Sequence, residues 1–285
     1  MAIIDGKLVA KTIREDLKNK ISEAYDLFGK KFKLSVVIAG EDPASEIYVR
    51  NKSKACEEAG IISETIKLNA NVSQEELELT VKNLVKDESV DGILVQLPLP
   101  KGLDEKRVLK LIPPEKDVDG FSDNNIGRLT MFSEDALYAC TPHGIMKLLE
   151  YYNVPLCGKH AVVVGRSNIV GKPMAILLLR ENATVTICHS HTKDLKEVCK
   201  RADILVAAIG KPKFFNRDYI KEGAVVIDVG IHRNEQNKLC GDVDRDDVMD
   251  LVSAITPVPG GVGPMTIAML MYNCVEAVRL QKTER

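Results

Sequence analysis

No tryptophan occurs in the 285-residue chain, and aromatic residues make up only 5% of it. Those present are scattered and are not interleaved with a basic patch, which argues against a nucleic-acid-binding surface. Neither sign of charge dominates: the formal net charge is −2, so no general attraction to nucleic acid or anionic lipid is expected. No apolar run approaches the roughly 18 residues that span a bilayer, and the opening MAIIDGKLVAK lacks the basic start and apolar core of a signal peptide. The seven cysteines are odd in number, widely spread and without a C-x-x-C pair. They read as small buried hydrophobes in a reducing cytoplasm, not as a disulfide framework or a metal site.

What is there is an alternation of strand and helix. Residues 6–28 predict a helix, with Leu8, Val9, Ile13, Leu17, Ile21 and Tyr25 at helical spacing. Strands follow at 34–39, 61–68 and 92–97. Between them lie a helix over 43–59, opened by Asp42-Pro43, and one from Ser73, capped with Glu76, to about residue 86. Residues 112–142 are rich in Pro, Asp, Asn and Gly and read as a loop-rich boundary. A second series then predicts helices at 143–152, 172–181, 194–201, 216–221 and 265–280, with strands at 161–164, 183–188, 203–209, 224–229 and 253–256. The expected class is α/β: two α/β domains, 1–121 and 122–285, with a cleft between them and parallel sheets in each. The final helix, 265–285, is expected to pack back on the first domain.

The stretch HAVVVGRSNIVGKP, 160–173, carries the first functional signal. A short apolar strand, a turn at Gly165 and a helix N-terminus direct unpaired N–H groups and a helix dipole at one point, as an anion site requires. The dinucleotide fingerprint G-x-G-x-x-G is incomplete, because Ser167 and Val170 fill its later glycine positions and Gly171 falls one place late. Alone, the stretch is equally consistent with an ordinary strand-to-helix turn. About 20 residues on, where NAD-binding folds place an acid for the ribose, the chain reads His189-Ser190-His191-Thr192, with no carboxylate until Asp194. Arg166 stands at the turn itself. If a dinucleotide binds, a 2′-phosphate is favoured there, and so NADP over NAD. Cys188, His189 and His191 do not read as a metal site, since neighbours on a strand point to opposite faces.

In the helix over 43–59, Ala44, Ile47, Tyr48, Ala55, Cys56 and Ala59 share a face, and Lys52 sits in the middle of it. Lys54 falls outside. Desolvation lowers a lysine pKa, by roughly 3–5 units on full burial, which suits a lysine to proton transfer near neutral pH. The alternative is that Lys52 snorkels to the edge of the stripe. Gln96 is the one polar residue in the run 93–97, at the strand end where parallel sheets place ligands; it also fits an ordinary edge position. Asp117 and Asp119, in Asp117-Val-Asp-Gly-Phe121, offer a carboxylate to a ligand rich in N–H donors, or alternatively an Asx turn before Gly120.

Five segments together resemble one family: Tyr48-Val-Arg-Asn-Lys52, Asp91-Gly-Ile-Leu-Val-Gln-Leu-Pro-Leu-Pro100, Lys116-Asp-Val-Asp-Gly-Phe121, Gly165-Arg-Ser-Asn-Ile-Val-Gly-Lys-Pro173 and Thr256-Pro-Val-Pro-Gly-Gly-Val-Gly-Pro-Met-Thr266. The family is the bifunctional methylenetetrahydrofolate dehydrogenase/methenyltetrahydrofolate cyclohydrolase of the bacterial FolD type. The resemblance implies a folate-binding catalytic domain followed by a Rossmann-type NADP-binding domain, and a cytoplasmic homodimer joined through the latter. It implies that methylenetetrahydrofolate gives up a hydride to NADP and that the methenyl product is hydrolysed to 10-formyltetrahydrofolate. Carried over by motif, Lys52, Tyr48, Gln96 and Asp119 are the catalytic residues. Gly165, Arg166, Ser167, Ser190 and Ile231 are the cofactor contacts. Leu97, Pro98, Pro257, Gly260, Gly261 and Pro264 join the catalytic four in contacting substrate. His191 is left without a role. Two rivals stand beside this reading: another NADP-dependent dehydrogenase of shikimate type, and a non-catalytic NADP sensor with no use for Lys52, Gln96 or Asp119.

Overall fold

The computed structural model describes residues 2–29, 31–234 and 236–283. In the first half of the chain lie β1 (Ala2–Ile3), α1 (Gly6–Phe28), β2 (Lys33–Ala39), α2 (Pro43–Glu58), β3 (Ile62–Leu68), α3 (Gln74–Lys86), β4 (Gly92–Val95), α4 (Glu105–Leu109) and α5 (Asp123–Thr130). In the second half follow α6 (Cys140–Tyr151), β5 (His160–Val164), α7 (Gly171–Arg180), β6 (Thr184–Cys188), α8 (Leu195–Cys199) and β7 (Ile204–Ala207). After a 3-10 turn, Arg217–Tyr219, come β8 (Val225–Asp228), β9 (His232–Arg233), β10 (Leu239–Cys240), α9 (Arg245–Val248), β11 (Ala254–Ile255) and α10 (Val262–Thr283). By packing, the chain forms two compact units, Met1–Lys11 with Ala139–Thr266 and Thr12–Tyr138 with Ile267–Arg285. This division and the compositional one, 1–121 against 122–285, differ over 1–11, 122–138 and 267–285.

In the unit built on Thr12–Tyr138, three parallel strands run in the order β3-β2-β4. Strands β2 and β4 are apolar and buried almost throughout, as expected of strands covered on both faces. Edge strand β3 alternates exposed and half-buried residues, and its Glu64 and Lys67 discourage pairing with a further strand. Helices α2 and α3 start as the sequence requires. Asp42 accepts from the Ser45 N–H at 2.8 Å, and Ser73 Oγ from the Glu76 N–H at 3.1 Å. The stripe on α1 is narrower than its periodicity suggests: Val9, Leu17 and Ile21 are buried, but Leu8 and Tyr25 are exposed.

The segment 112–142 is not simply loop. Helix α5 starts on a Ser122 cap, and Asn125 Nδ2 donates to Pro114 O and Asp117 Oδ2, both at 2.9 Å. Those bonds explain why 122–138 packs with the residues before it. The last helix is tied to the same unit: Asn273 Nδ2 donates to the carbonyls of Val118 and Tyr138, and Gln281 Nε2 to those of Asp91 and Glu115.

The other unit holds a six-stranded parallel sheet in the order β1-β11-β8-β7-β5-β6. The order reverses at β5, whose partners are β6 on one side and β7 on the other. In open α/β sheets ligands bind beyond the carboxyl ends of the strands at such a reversal. Strand β1, two residues paired in parallel with β11, gives no periodicity to read and was not expected from the sequence. The helix expected at 216–221 is a single 3-10 turn, and those over 194–201 and 143–152 become five residues and a helix that starts at Cys140. No helix among the described residues is long and apolar enough to cross a membrane.

Candidate functional site

Lys52 is buried, with 5% of its surface exposed. The buried face of α2 is Ser45, Val49, Lys52, Ala55, Cys56 and Ala59, so the lysine does share it. Ile47, expected on that face, is 46% exposed, and Val49 takes the place assigned to it; the side chain of Ala44 lies outside the described residues. Lys54 points away and meets Glu58 at 3.9 Å. Lys52 Nζ donates to Gln96 Oε1 at 3.4 Å and stands 5.8 Å from the centre of the Tyr48 ring. Gln96 cannot turn freely, because its Nε2 donates to Leu97 O at 2.7 Å while its backbone N–H bonds Val37 O at 2.8 Å. The strand therefore ends at Val95, two residues short of expectation, yet Gln96 keeps its place on the sheet.

This cluster lies where the three-stranded sheet reverses its order. Helix α2 leaves the end of β2, and Gln96 leaves the end of its neighbour β4. Burial raises the Tyr48 phenol above its ordinary pKa and pushes the Cys56 thiol, one turn beyond Lys52, up to about 12. Leu97 is half-buried and Pro98 exposed, joined by a cis peptide bond.

The segment Lys116-Asp-Val-Asp-Gly divides its polar residues by task. Lys116 Nζ donates to Val85 O at 3.1 Å and Asp87 O at 2.9 Å, which satisfies carbonyls at the C-terminus of α3. Asp117 accepts from the N–H groups of Gly120, Phe121 and Ser122 and from Asn125 Nδ2, at 2.8–3.2 Å. It is the Asx-turn carboxylate. Asp119 is buried, and among the described residues its carboxylate has no hydrogen-bond partner. Burial raises its pKa; the Lys52 charge opposes that shift and Asp117 adds to it. Asp119 thus feels the Lys52 charge without a hydrogen bond to it. Asn273, which anchors the carbonyl next to Asp119, was not foreseen; an Asn inside the apolar run of the last helix was the available signal.

In the other unit, Gly165 has φ +132°, and a Cβ there would lie 2.2 Å from Ala208 O at the end of β7. A Cβ on Gly171 would lie 2.2 Å from Gly165 O. The late glycine therefore does the work of the fingerprint's last one, letting the first turn of α7 close on the strand. Ser167 Oγ accepts from the N–H groups of Val170 and Gly171 at 3.2 and 3.3 Å, which satisfies the first N–H of α7 from outside the helix. Arg166 is exposed at this turn, and Ser190 and His191 are exposed beyond β6. Ile231, past the end of β8, is 48% exposed, and its Cδ1 is 3.5 Å from where a Cβ on Gly263 would be. In the loop 257–264, Gly260 has φ +105° and its carbonyl accepts from Lys7 N at 3.1 Å. Gly261 is confined by Pro257 O, 2.6 Å from its missing Cβ, and Pro257 and Pro264 are half-buried. No three His, Cys, Asp or Glu side chains among the described residues are grouped to hold a metal ion.

Two sequence models of one family match the chain: the tetrahydrofolate dehydrogenase/cyclohydrolase catalytic domain over residues 4–119 and its NAD(P)-binding domain over residues 139–282. The bifunctional protein FolD of Agathobacter rectalis is 57% identical over 277 residues, 97% of this chain and 99% of the relative. The crystal structure of the bifunctional enzyme FolD from Campylobacter jejuni superposes with TM-score 0.96 at 47% identity, covering 99% of both chains. The Trypanosoma brucei FolD, complexed with NADP cofactor and inhibitor, gives 0.93 at 38% identity, covering 100% of this chain and 99% of that one. A shikimate 5-dehydrogenase of Thermus thermophilus, at 15% identity and TM-score 0.54, covers 86% of this chain and 98% of that one and shares the fold alone.

Proposed function

The chain belongs to the tetrahydrofolate dehydrogenase/cyclohydrolase family, and from that premise we propose that it oxidises 5,10-methylenetetrahydrofolate with NADP and hydrolyses the 5,10-methenyl product to 10-formyltetrahydrofolate. The observation that carries the reading beyond family membership is the buried Lys52, held against Gln96 and Tyr48 at the end of a parallel sheet. A shikimate-type dehydrogenase or an NADP sensor has no need of that arrangement.

NADP supplies the hydride acceptor, and the chemistry of transfer is the cofactor's own. The chain's contribution to that step is positioning. Gly165, Arg166 and Ser167 would hold the phosphates at the start of α7, Ser190 and Arg166 the 2′-phosphate, and Ile231 the nicotinamide side. The donor set suits this cofactor: an exposed guanidinium and hydroxyl, and no carboxylate between the end of β6 and Asp194. Asp119 accepts from the N–H groups of the pterin. Leu97, Pro98 and the loop bearing Pro257, Gly260, Gly261 and Pro264 contact the folate.

Hydrolysis asks more of the side chains. A water oxygen bonds to the methenyl carbon and one of its protons leaves; the bond from that carbon to N5 then breaks as the remaining hydroxyl proton passes to N5, leaving the formyl group on N10. Lys52, kept from bulk water and fixed by Gln96, orients that water and moves its proton. Tyr48 packs beside the lysine and the reacting carbon. The test is an assay with methylenetetrahydrofolate and either NADP or NAD, following the reduced cofactor. NADP is expected to be preferred, and Arg166→Ala to erase most of that preference; a variant that kept it in full would refute the assignment.

The same reading gives a cytoplasmic homodimer, consistent with seven free cysteines. Strand β6 ends the six-stranded sheet with Ile187 43% exposed, and Leu179 of α7 is 54% exposed. An open edge with apolar residues favours pairing with a second copy. Light scattering should give twice the chain mass, and Ile187→Glu should halve it; an unchanged mass in that variant would place the contact elsewhere.

A further inference from the structure

Two buried carboxylates stand behind the cofactor unit's sheet ends, and the proposed chemistry uses neither. Asp242 is fully buried. Its Oδ2 accepts from the N–H groups of Ile209 and Gly210 at 2.7 and 3.1 Å, and its Oδ1 from Lys211 N and from His232 Nε2, both at 2.8 Å. Asp228, 4% exposed at the end of β8, accepts from Gly230 N, Asp242 N and Val243 N at 2.8–3.0 Å. Its own N–H donates to Thr256 Oγ1 at 2.8 Å. The backbone is shaped around these oxygens. A Cβ on Gly230 would lie 2.4 Å from Asp242 Oδ1, and one on Gly241 would lie 1.9 Å from Asp228 Oδ2.

The segments gathered by this pair are those that frame the dinucleotide site. Residues 209–211 continue from Ala208, whose carbonyl is what confines Gly165. Gly230 precedes Ile231. The two connections that leave the sheet at the carboxyl ends of β7 and β8 therefore converge on these two carboxylates. Such convergence is expensive: burial pushes the Asp228 carboxyl up to about 6, against the N–H groups that favour its ionised form.

We propose that Asp242 is a positioning residue of the cofactor site, acting with Asp228 and His232 to hold the exit of β7 and the Ile231 loop in the shape that receives the dinucleotide. This rests on the reading of the unit as an NADP site. Asparagine at position 242 keeps the size but turns an NH2 group toward N–H donors and removes the charge. Removing a charge-assisted acceptor from buried donors weakens binding on the order of ten-fold.

The experiment is a titration of the full chain with reduced NADP by fluorescence, paired with cyclohydrolase assays on methenyltetrahydrofolate without cofactor. For Asp242→Asn the dissociation constant and the KM for NADP should rise about ten-fold, while the cyclohydrolase kcat and KM stay within about two-fold. Unchanged cofactor affinity, or an equal loss of cyclohydrolase activity in folded protein, would overturn the proposal. If Asp242→Asn does not fold, His232→Ala decides: affinity should fall about three-fold and return in His232→Gln, whose amide nitrogen can replace Nε2 as donor. No change in His232→Ala would overturn the proposal equally. Failure of the functional reading is distinct, since the unaltered chain would then bind no reduced NADP.

Discussion

Two aspartates, two residues apart, face opposite demands in this protein. Asp117 closes the turn by accepting three backbone N–H groups and one side-chain amide, and its carbonyl also accepts from Gly120 N at 3.0 Å. Asp119 sits at the corner of that turn, buried and without a partner among the described residues. The two should separate cleanly on mutation. Asp117→Asn should destabilise by about 3 kcal/mol, because an amide cannot serve that set of donors. Asp119→Asn should not. Since its folded pKa is raised, the carboxyl favours the native state only below the ordinary carboxylate range, and that contribution is lost as pH rises through the folded value. Above the ordinary carboxylate range the buried carboxyl is a cost that an amide removes. Asp119→Asn should therefore match or exceed the parent in urea while its KM for folate rises about ten-fold. Loss of stability in Asp119→Asn, or of folate affinity alone in Asp117→Asn, would reverse the assignment. From sequence, turn carboxylate and ligand carboxylate were both legible in this motif. The family motif pointed to Asp119 for the ligand, whereas Asp117's place as the turn carboxylate depends on bonds to residues as distant as Asn125, which no local pattern records.

At the level of elements, the turn from β5 into α7 shows why the dinucleotide fingerprint looked broken. Its first glycine is present because Ala208 O leaves no room for a side chain, and its last is displaced to Gly171 because α7 meets Gly165 O at that position. Ser167 Oγ accepts the Gly171 N–H at the first position of α7, a donor that a glycine turn would leave to a ligand or water. Gly171→Ala should cost about 1–3 kcal/mol by overpacking and raise the KM for NADP, with cyclohydrolase activity retained; thermal melts and steady-state kinetics would check both. A variant that bound NADP normally would show that the turn tolerates the shift. The long, capped elements α1, α2, α3 and β2 were readable because periodicity and caps agree over several turns. The short helices α4 and α5 offered too few residues for a period, although Asp104 and Ser122 do cap them. Strand β1 was invisible, since its partner β11 lies at the far end of the chain.

For the whole molecule, five motifs spread over the chain carried the family, and the family fixes the class of reaction. They could not place Lys52 against Gln96; that contact depends on the β3-β2-β4 order and on the bonds that hold the Gln96 amide. In the proposed mechanism hydride transfer needs positioning and hydrolysis needs Lys52. The most direct test follows reduced NADP and the methenyl compound together after Lys52→Gln protein is mixed with methylenetetrahydrofolate and NADP. Reduced NADP should form while the methenyl compound accumulates instead of passing on to the formyl product. Equal loss of both steps in folded Lys52→Gln, or hydrolysis that continues at the parent rate, would contradict the account.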